Sequence, residues 1–434
     1  MFDRIKKSKY LQHSVFSFGG QVAFLLSNFL LFILLVNKIS QDLYGAWALY
    51  MTIISIADSL RQGMVNNGLA RLLVKSPNDK TLSSTGFCLN YGLILTLGLI
   101  GLLASFVVAQ TSTIQELLPH AWKSLLMLGT MQFISTLCQA KFKFKAYLVT
   151  NLIYLTCLIA AIIYVSQTSE TITLIQVINA QAVSLILPAL YFLIQSDLSL
   201  VLPTRIQFKR LLDFGRFAAG TNMLSILFHK ADILMIAFFL DPVSVAIFHF
   251  ATKIMNYAEL PLHALSQVIY PRLSASYHAN KANELNKEYG LAIIRLLVFV
   301  IPIVIAVVML NKTIINILSS GEYIDSSQLI IILGLGIIFK PWGRVFGLTL
   351  DAIGKPKVNF NMLLISLIIN ISVNLILIPL YGVRGAAIAT TLSIIITTII
   401  GQFRIGRYAS IKPIEDVWLA IRNQQSHFKS FSWN

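Results

Sequence analysis

Ionisable side chains recur inside apolar stretches of this chain, at spacings that gather them. One stretch holds His229, Lys230 and Asp232. The next holds His249, Lys253, Asn256, Glu259 and His263, three to four residues apart and therefore on one face of a helix. A third holds Lys340 and Arg344, one turn apart with Pro341 between them. A milder stripe runs through Thr52, Ser55, Asp58, Gln62 and Asn66. Such groups are costly at bilayer depth and usually face a bundle interior or a wet cavity. The chemistry they offer is binding rather than bond-making. Arg by a forked hydrogen bond and Lys as a point charge can replace the hydration of an anion, while neutral polar groups receive hydroxyls.

Lys230, Lys253, Lys340 and Arg344 are accordingly candidate cavity cations, and Asp58, Asp232, Glu259, His229 and His249 candidates for ion coupling or ion pairing. Counted back from Asp241-Pro242, Asp232 and Lys253 lie at similar depths, roughly 14 and 17 Å at 1.5 Å per residue. A structural ion pair between them is one reading, and it leaves Lys230 as the free cation. Lys340 and Arg344 either face a cavity or snorkel. Asp58 and Glu259 either bind a coupling cation or partner Arg61 and nearby bases. No catalytic residue is assigned, because no nucleophile–base constellation, nucleotide-binding loop or metal motif stands out. Cys88, Cys138 and Cys157 sit in apolar runs without Cys-x-x-Cys spacing, so no metal or cofactor is expected beyond a coupling proton or sodium ion.

The elements that carry these residues follow from composition. The 434 residues are 56% hydrophobic and 12% charged, against about 25% charged in soluble domains. Lipid must be the solvent for most of the surface. A membrane helix needs about 20 apolar residues, and that length picks out twelve stretches: 14–36, 43–60, 86–109, 120–140, 146–165, 172–194, 213–240, 245–270, 291–310, 327–350, 358–378 and 383–403. The first is too long for a signal peptide and lacks a cleavage site. Lys and Arg crowd the even-numbered connections and both tails, whereas the odd-numbered connections and the helix ends beside them hold only Lys38, Lys123, Lys312 and Arg384. Both termini are therefore expected in the cytoplasm. The same distribution explains the net charge of +16 without nucleic acid. Anionic lipid headgroups are the expected partner of the basic face.

The two halves also repeat. A shift of 201 positions lays Gly45-Ala46-Trp47 on Ala246-Ile247-Phe248, Asp58 on Glu259, and Arg71-Leu72 on Arg272-Leu273. Nearby offsets lay Phe18-Gly19 on Phe214-Gly215, and Lys143 and Lys145 on Lys355 and Lys357. Six helices per half is an even number, so the repeats are parallel and imply a pseudo-two-fold axis along the membrane normal. The expected organisation is an N-terminal bundle over 1–196, a linker over 197–212, a C-terminal bundle over 213–403, and a basic tail over 404–434.

Ala231-Asp232-Ile233-Leu234, Ala251-Thr252-Lys253-Ile254, Tyr270-Pro271-Arg272-Leu273-Ser274 and the Gly354-Lys355-Pro356-Lys357 turn, with the Phe214-Gly215 start of the seventh stretch, resemble the polysaccharide-exporting branch of the MOP flippase superfamily. The likeness is greatest to O-antigen flippases of the Wzx type and covers nearly the whole chain. It implies an all-α polytopic membrane protein with two six-helix bundles, MATE-like in fold. Its implied activity is alternating-access export of a polyprenyl-diphosphate-linked oligosaccharide across the bacterial inner membrane, for lipopolysaccharide O-antigen or another surface polysaccharide, in company with a polymerase. Cavity cations would then hold the diphosphate while the lipid tail stays in the bilayer. Pro188, Pro261, Pro302 and Pro341 would bend helices for closure. A cation-coupled multidrug exporter of the same fold is the alternative. A membrane polymerase or ligase fits less well, since every outer connection is short.

Overall fold

The computed structural model describes residues 9–76, 79–108, 112–168, 171–195, 201–278 and 282–408, with Ile411 and Glu415. Arg4, Lys6, Lys7, Lys281, Lys412, Arg422 and Lys429, residues 197–200 of the expected linker, and the tail aromatics Trp418, Phe428 and Trp433 lie outside the described residues. In hydrocarbon every backbone N–H and C=O must find its partner within the segment. Every element among the described residues is helical.

The first half runs α1 (Lys9–Lys38), α2 (Gln41–Arg61), a π-helical turn (Gln62–Asn67), α3 (Gly68–Lys75), α4 (Lys80–Ser105), α5 (Thr113–Leu117), a 3-10 turn (Leu118–His120), α6 (Ala121–Ala140), α7 (Phe144–Thr168), α8 (Leu174–Ser184) and α9 (Ile186–Gln195). Then follow α10 (Arg205–Phe239), α11 (Pro242–Ala258), α12 (Leu260–His278), α13 (Ala282–Met309), α14 (Asn311–Ser319), α15 (Ser326–Ala352) and α16 (Pro356–Ile405). Each predicted stretch falls on helix. The seventh begins at Arg205 rather than 213, so the end of the expected linker is helical. Arg205, Lys209, Arg210, Asp213 and Arg216 dilute its apolar signal there.

Among the described residues, nine helical stretches are long and apolar enough to cross a membrane. Lys123, Gln132 and Gln139 take α6 below that standard, and the break at Glu259 divides α11 from α12. The longest stretch, the 50-residue α16, is two helices. Gly382, at φ 59° and ψ −138°, interrupts it with a backbone conformation that glycine tolerates and L side chains rarely adopt. Of the prolines expected to bend helices, Pro302 and Pro341 lie inside continuous helices, while Pro188 and Pro261 stand just after interruptions at Leu185 and Glu259.

The chain divides between Leu227 and Phe228, inside α10, into two compact units. In the first, α1 packs on α7 and α4 on α6. Its core includes Val65, Leu69, Phe133, Leu137, Tyr147 and Leu211. In the second, α15 is the hub, touching α11, α12, α13 and α16. Because lipid is as apolar as leucine, such contacts rest on close packing and small residues. At the π turn a Cβ added to Gly63 would stand 2.2 Å from Cα and 2.3 Å from the amide nitrogen of Ala219. Only glycine lets α10 cross so near.

Gly63→Val should therefore destabilise the protein by about 1–3 kcal/mol, the usual cost of overpacking. Gly92→Ala, at a position with open space around it, should leave the unfolding midpoint in detergent unchanged. Ala219→Gly should not rescue Gly63→Val, since the clash is with backbone. A rescue would mean that the side chain sets the distance.

Candidate functional site

The second unit holds most of the candidate residues, and it keeps one acid, Asp232, out of any ion pair. Asp232, on α10, is buried. Its Oδ1 accepts from Asn374 Nδ2 at 2.6 Å and Asn370 Nδ2 at 3.1 Å, and its Oδ2 accepts from Thr390 Oγ1 at 2.9 Å. The two asparagines are one turn apart on the first part of α16 and joined to each other at 3.2 Å. Thr390 comes from the second part, so the Gly382 break folds both parts of α16 around a single carboxylate. Among the described residues no Lys or Arg lies within ion-pair distance of Asp232, so the reading that paired it with Lys253 is corrected. Asn374 Oδ1 is buried without a hydrogen-bond partner.

The bases stand apart from this cage. Lys340, on α15, donates to Glu259 Oε1 at 2.5 Å, and Glu259 sits in the break between α11 and α12. Lys340 is thereby neutralised. One turn on, Arg344 Nε donates to Ser266 Oγ at 2.8 Å. Lys230 and Lys253 are half-buried and have no acid within ion-pair distance among the described residues. The Lys253 ammonium lies 5.9 Å from the ring centroid of Tyr257. These cations act on one another: Lys253 feels the charge of Lys230, and His249 feels both. The exposed His229 feels Lys230, Lys340 and Arg344, and His263 feels Arg344, Lys340 and Glu259. The group is a cluster of bases that outnumbers its acids, Glu259 on Lys340 and Asp351 acting on Arg344, and it is suited to a multiply charged anion.

The first unit buries a pair of its own. Arg61 is 0% exposed and Asp58 1%. Arg61 Nε donates to Asp58 Oδ1 at 2.6 Å, Nη1 to Asn90 Oδ1 at 2.6 Å, and Nη2 to Gln132 Oε1 at 2.5 Å. Gln62 Nε2 holds Asp58 Oδ2 at 2.8 Å. The guanidinium is fully engaged by α2, α4 and α6, so of the two readings for Asp58 the structure shows the partner of Arg61. Glu259, at the matched repeat position, likewise partners a base.

Sequence reasoning placed the bases and acids but missed the neutral half of each site. Asn370, Asn374 and Thr390 carry the Asp232 cage, Asn90 and Gln132 the Arg61 network, and Ser266 the Arg344 contact. A signal existed in Asn370 and Asn374, two amides at helical spacing within an otherwise apolar run.

Long apolar helices in two units, with buried charge and a broken final helix, describe a polytopic membrane protein, and superposition gives its fold as that of MOP superfamily transporters. The chain superposes on the lipid II flippase MurJ in an inward closed conformation with a TM-score of 0.75 at 19% identity, over 97% of this chain and 94% of that one. On an inward-facing multidrug resistance MATE family transporter the TM-score is 0.74 at 16% identity, over 89% and 95%. The chain belongs to the family described as Polysaccharide biosynthesis protein, whose model matches residues 35–328. It is 24% identical over 204 residues to the protein named "Probable low-salt glycan biosynthesis flippase Agl15" of Haloferax volcanii, a match over 47% of this chain and 43% of that one. The chain spans less than half the length of the curated relatives it matches.

Removing one partner of a buried ion pair strands the other, at about 3–5 kcal/mol. Arg61→Met should cost that much in detergent unfolding, and Asp58→Leu with Arg61→Met should cost less than Arg61→Met alone. A double variant as damaged as the sum of its parts would show that the two residues do not act as a pair.

Proposed function

We propose that this chain is a flippase. It carries a polyprenyl-diphosphate-linked oligosaccharide, the repeat unit of an O-antigen or another surface polysaccharide, from the cytoplasmic to the outer leaflet of a bacterial inner membrane. Two six-helix halves with cytoplasmic termini alternate access, and a polymerase receives the delivered unit. The observation that carries this reading is the pair of unneutralised lysines, Lys230 and Lys253, beside Arg344, with the nearby Asp232 caged away from them. A diphosphate cannot enter hydrocarbon unless something replaces its hydration, and fixed cations do so. A carrier of cationic drugs would gain from exposed acid and lose from unpaired base, which disfavours the multidrug alternative. The names of the relatives agree, one a glycan biosynthesis flippase and another a lipid II flippase.

The energy has two available sources. A negative-inside potential favours outward movement of an anion by about 2.3 kcal/mol per charge per 100 mV. The second is an ion at Asp232. An ionised carboxylate hydrogen-bonded only to neutral groups in a membrane interior is costly, even with the charge of Lys340 acting on it from outside the cage, so a proton or a sodium ion should neutralise it for part of the cycle. Its surroundings suit either one. Two carboxylate oxygens, the Thr390 hydroxyl and the unpartnered Asn374 Oδ1 are hard oxygen donors, and a half-turn of either amide exchanges its donor for an acceptor.

Lys230→Glu and Arg344→Glu should each lower glycan export at least tenfold, since a charge-assisted hydrogen bond is worth about 1.5–3 kcal/mol. Lipid-linked repeat units should accumulate on the cytoplasmic side and surface polysaccharide should disappear. Lys230→Arg should retain export. Normal surface polysaccharide from both charge-reversed variants would exclude this reading. Asp232→Asn should remove whatever dependence of transport on a sodium or proton gradient the parent shows in vesicles. A gradient response that survives in the variant would place the coupling ion elsewhere.

A further inference from the structure

Basic residues are scarce on the outer side of the predicted topology, and the four present there are not scattered. Lys38 ends α1, where the helix dipole favours a cation. Lys123 is held by Asn179 Oδ1 at 2.7 Å. The remaining two, Lys312 and Arg384, line one cavity of about 660 Å³ in the second unit. Lys312 is in the first turn of α14 and Arg384 stands two residues past the Gly382 break, so 72 positions of sequence separate them. Neither side chain makes a hydrogen bond or ion pair among the described residues. Asp325, just before α15, and Gln328, in its first turn, line the same cavity, and Asp325 pairs with neither base. The walls are fixed. Ser326 Oγ donates to the Ile247 carbonyl at 2.9 Å, and Ser327 Oγ bonds Asn311 Oδ1 at 2.5 Å. Tyr381 and aliphatic side chains, Ile247, Ile324, Leu329, Ile331 and Val383, share the lining, a mixture typical of the membrane–water boundary.

We infer that this cavity is a binding site for a lipid-borne phosphate whose headgroup carries hydroxyls. Lys312 and Arg384 hold the phosphate, the first as a point charge and the second as a fork. Asp325 and Gln328 accept from the adjoining hydroxyls, and the aliphatic wall receives the start of the lipid chain. The volume suits such a headgroup, since small-molecule sites run about 300–1,000 Å³. The outer placement rests on the topology proposed above. The binding chemistry does not depend on transport. Two lipids present this chemistry at an outer interface: an anionic phospholipid with a glycerol headgroup, and a prenyl diphosphate bearing its first sugar.

The test is equilibrium binding to the full-length protein in detergent. The probes are short-chain phosphatidylglycerol, short-chain phosphatidylcholine, and a short-chain prenyl diphosphate linked to N-acetylglucosamine. Phosphatidylglycerol or the prenyl diphosphate should bind at least tenfold more tightly than phosphatidylcholine, and Lys312→Gln with Arg384→Gln should erase that preference. Lys312→Arg should keep it, and matched unfolding midpoints would certify that the variants fold. Preference for phosphatidylglycerol identifies a resident phospholipid site. Preference for the prenyl diphosphate identifies an exit station for cargo. Affinities that the double Gln variant leaves unchanged would overturn the assignment. Arg384→Cys in intact cells should be labelled by an impermeant maleimide above the background of the parent, and labelling confined to inverted vesicles would overturn the outer placement. Because binding is read without export, a failure here and a failure of the transport reading can be told apart.

Discussion

A hydrocarbon surround allows a charged or hydrogen-bonding group few options, and the organisation of this protein follows from that restriction. Backbone groups are satisfied by helix throughout the described residues. Side-chain charges are satisfied by partners brought from distant helices. Arg61 draws on Asp58, Asn90 and Gln132, and Asp232 on Asn370, Asn374 and Thr390. Each network pins elements that apolar packing alone would hold weakly, since lipid competes with leucine on equal terms. The polar groups therefore specify which helices meet, and the small residues specify how closely. Gly63 against Ala219 is the clearest case of the second kind.

Both units interrupt a helix beside the acid at the matched repeat position. Three residues after Asp58, Arg61 is followed by the π turn Gln62–Asn67, and Glu259 is itself the break between α11 and α12. A break loosens the regular backbone ladder and reorients the side chains beyond it. In the first unit it lies next to a fully engaged guanidinium. In the second it presents a carboxylate to Lys340 from another helix. The repeat has thus kept the acid, its interruption and its basic partner, while exchanging which helix supplies the base.

The parts of this arrangement legible in the sequence were those with a one-dimensional signature. Apolar length marked the helical stretches, and a three-to-four-residue rhythm marked the face bearing His249, Lys253 and Glu259. Pairing was less legible. Asp232 finds its partners 138 to 158 residues away, and amides or hydroxyls in an apolar run change its hydropathy little. Depth counting put Asp232 and Lys253 level, but rise per residue carries no information about rotation around the helix axis. Asp232 reaches Asn370, Asn374 and Thr390, whereas Lys253 lies over the ring of Tyr257. The helical start of α10 at Arg205 was hidden for the opposite reason, because its charges resemble a linker.

Keeping Asp232 away from the lysines has an energetic consequence. An Asp232–Lys253 pair would have cancelled charge and stabilised the protein without cargo. Instead the charge of Lys230 acts on Lys253 with no acid within ion-pair distance of either among the described residues, a condition that a bound anion would relieve. Asp232 takes its hydrogen bonds from Asn370, Asn374 and Thr390. Both sites nevertheless share one rod. Lys230 and Asp232 are two residues apart on α10, roughly 200° around its axis at 3.6 residues per turn. They therefore face different sides of the same helix. Any displacement of α10 that alters the cage around Asp232 must also move Lys230, so the two positions are mechanically linked.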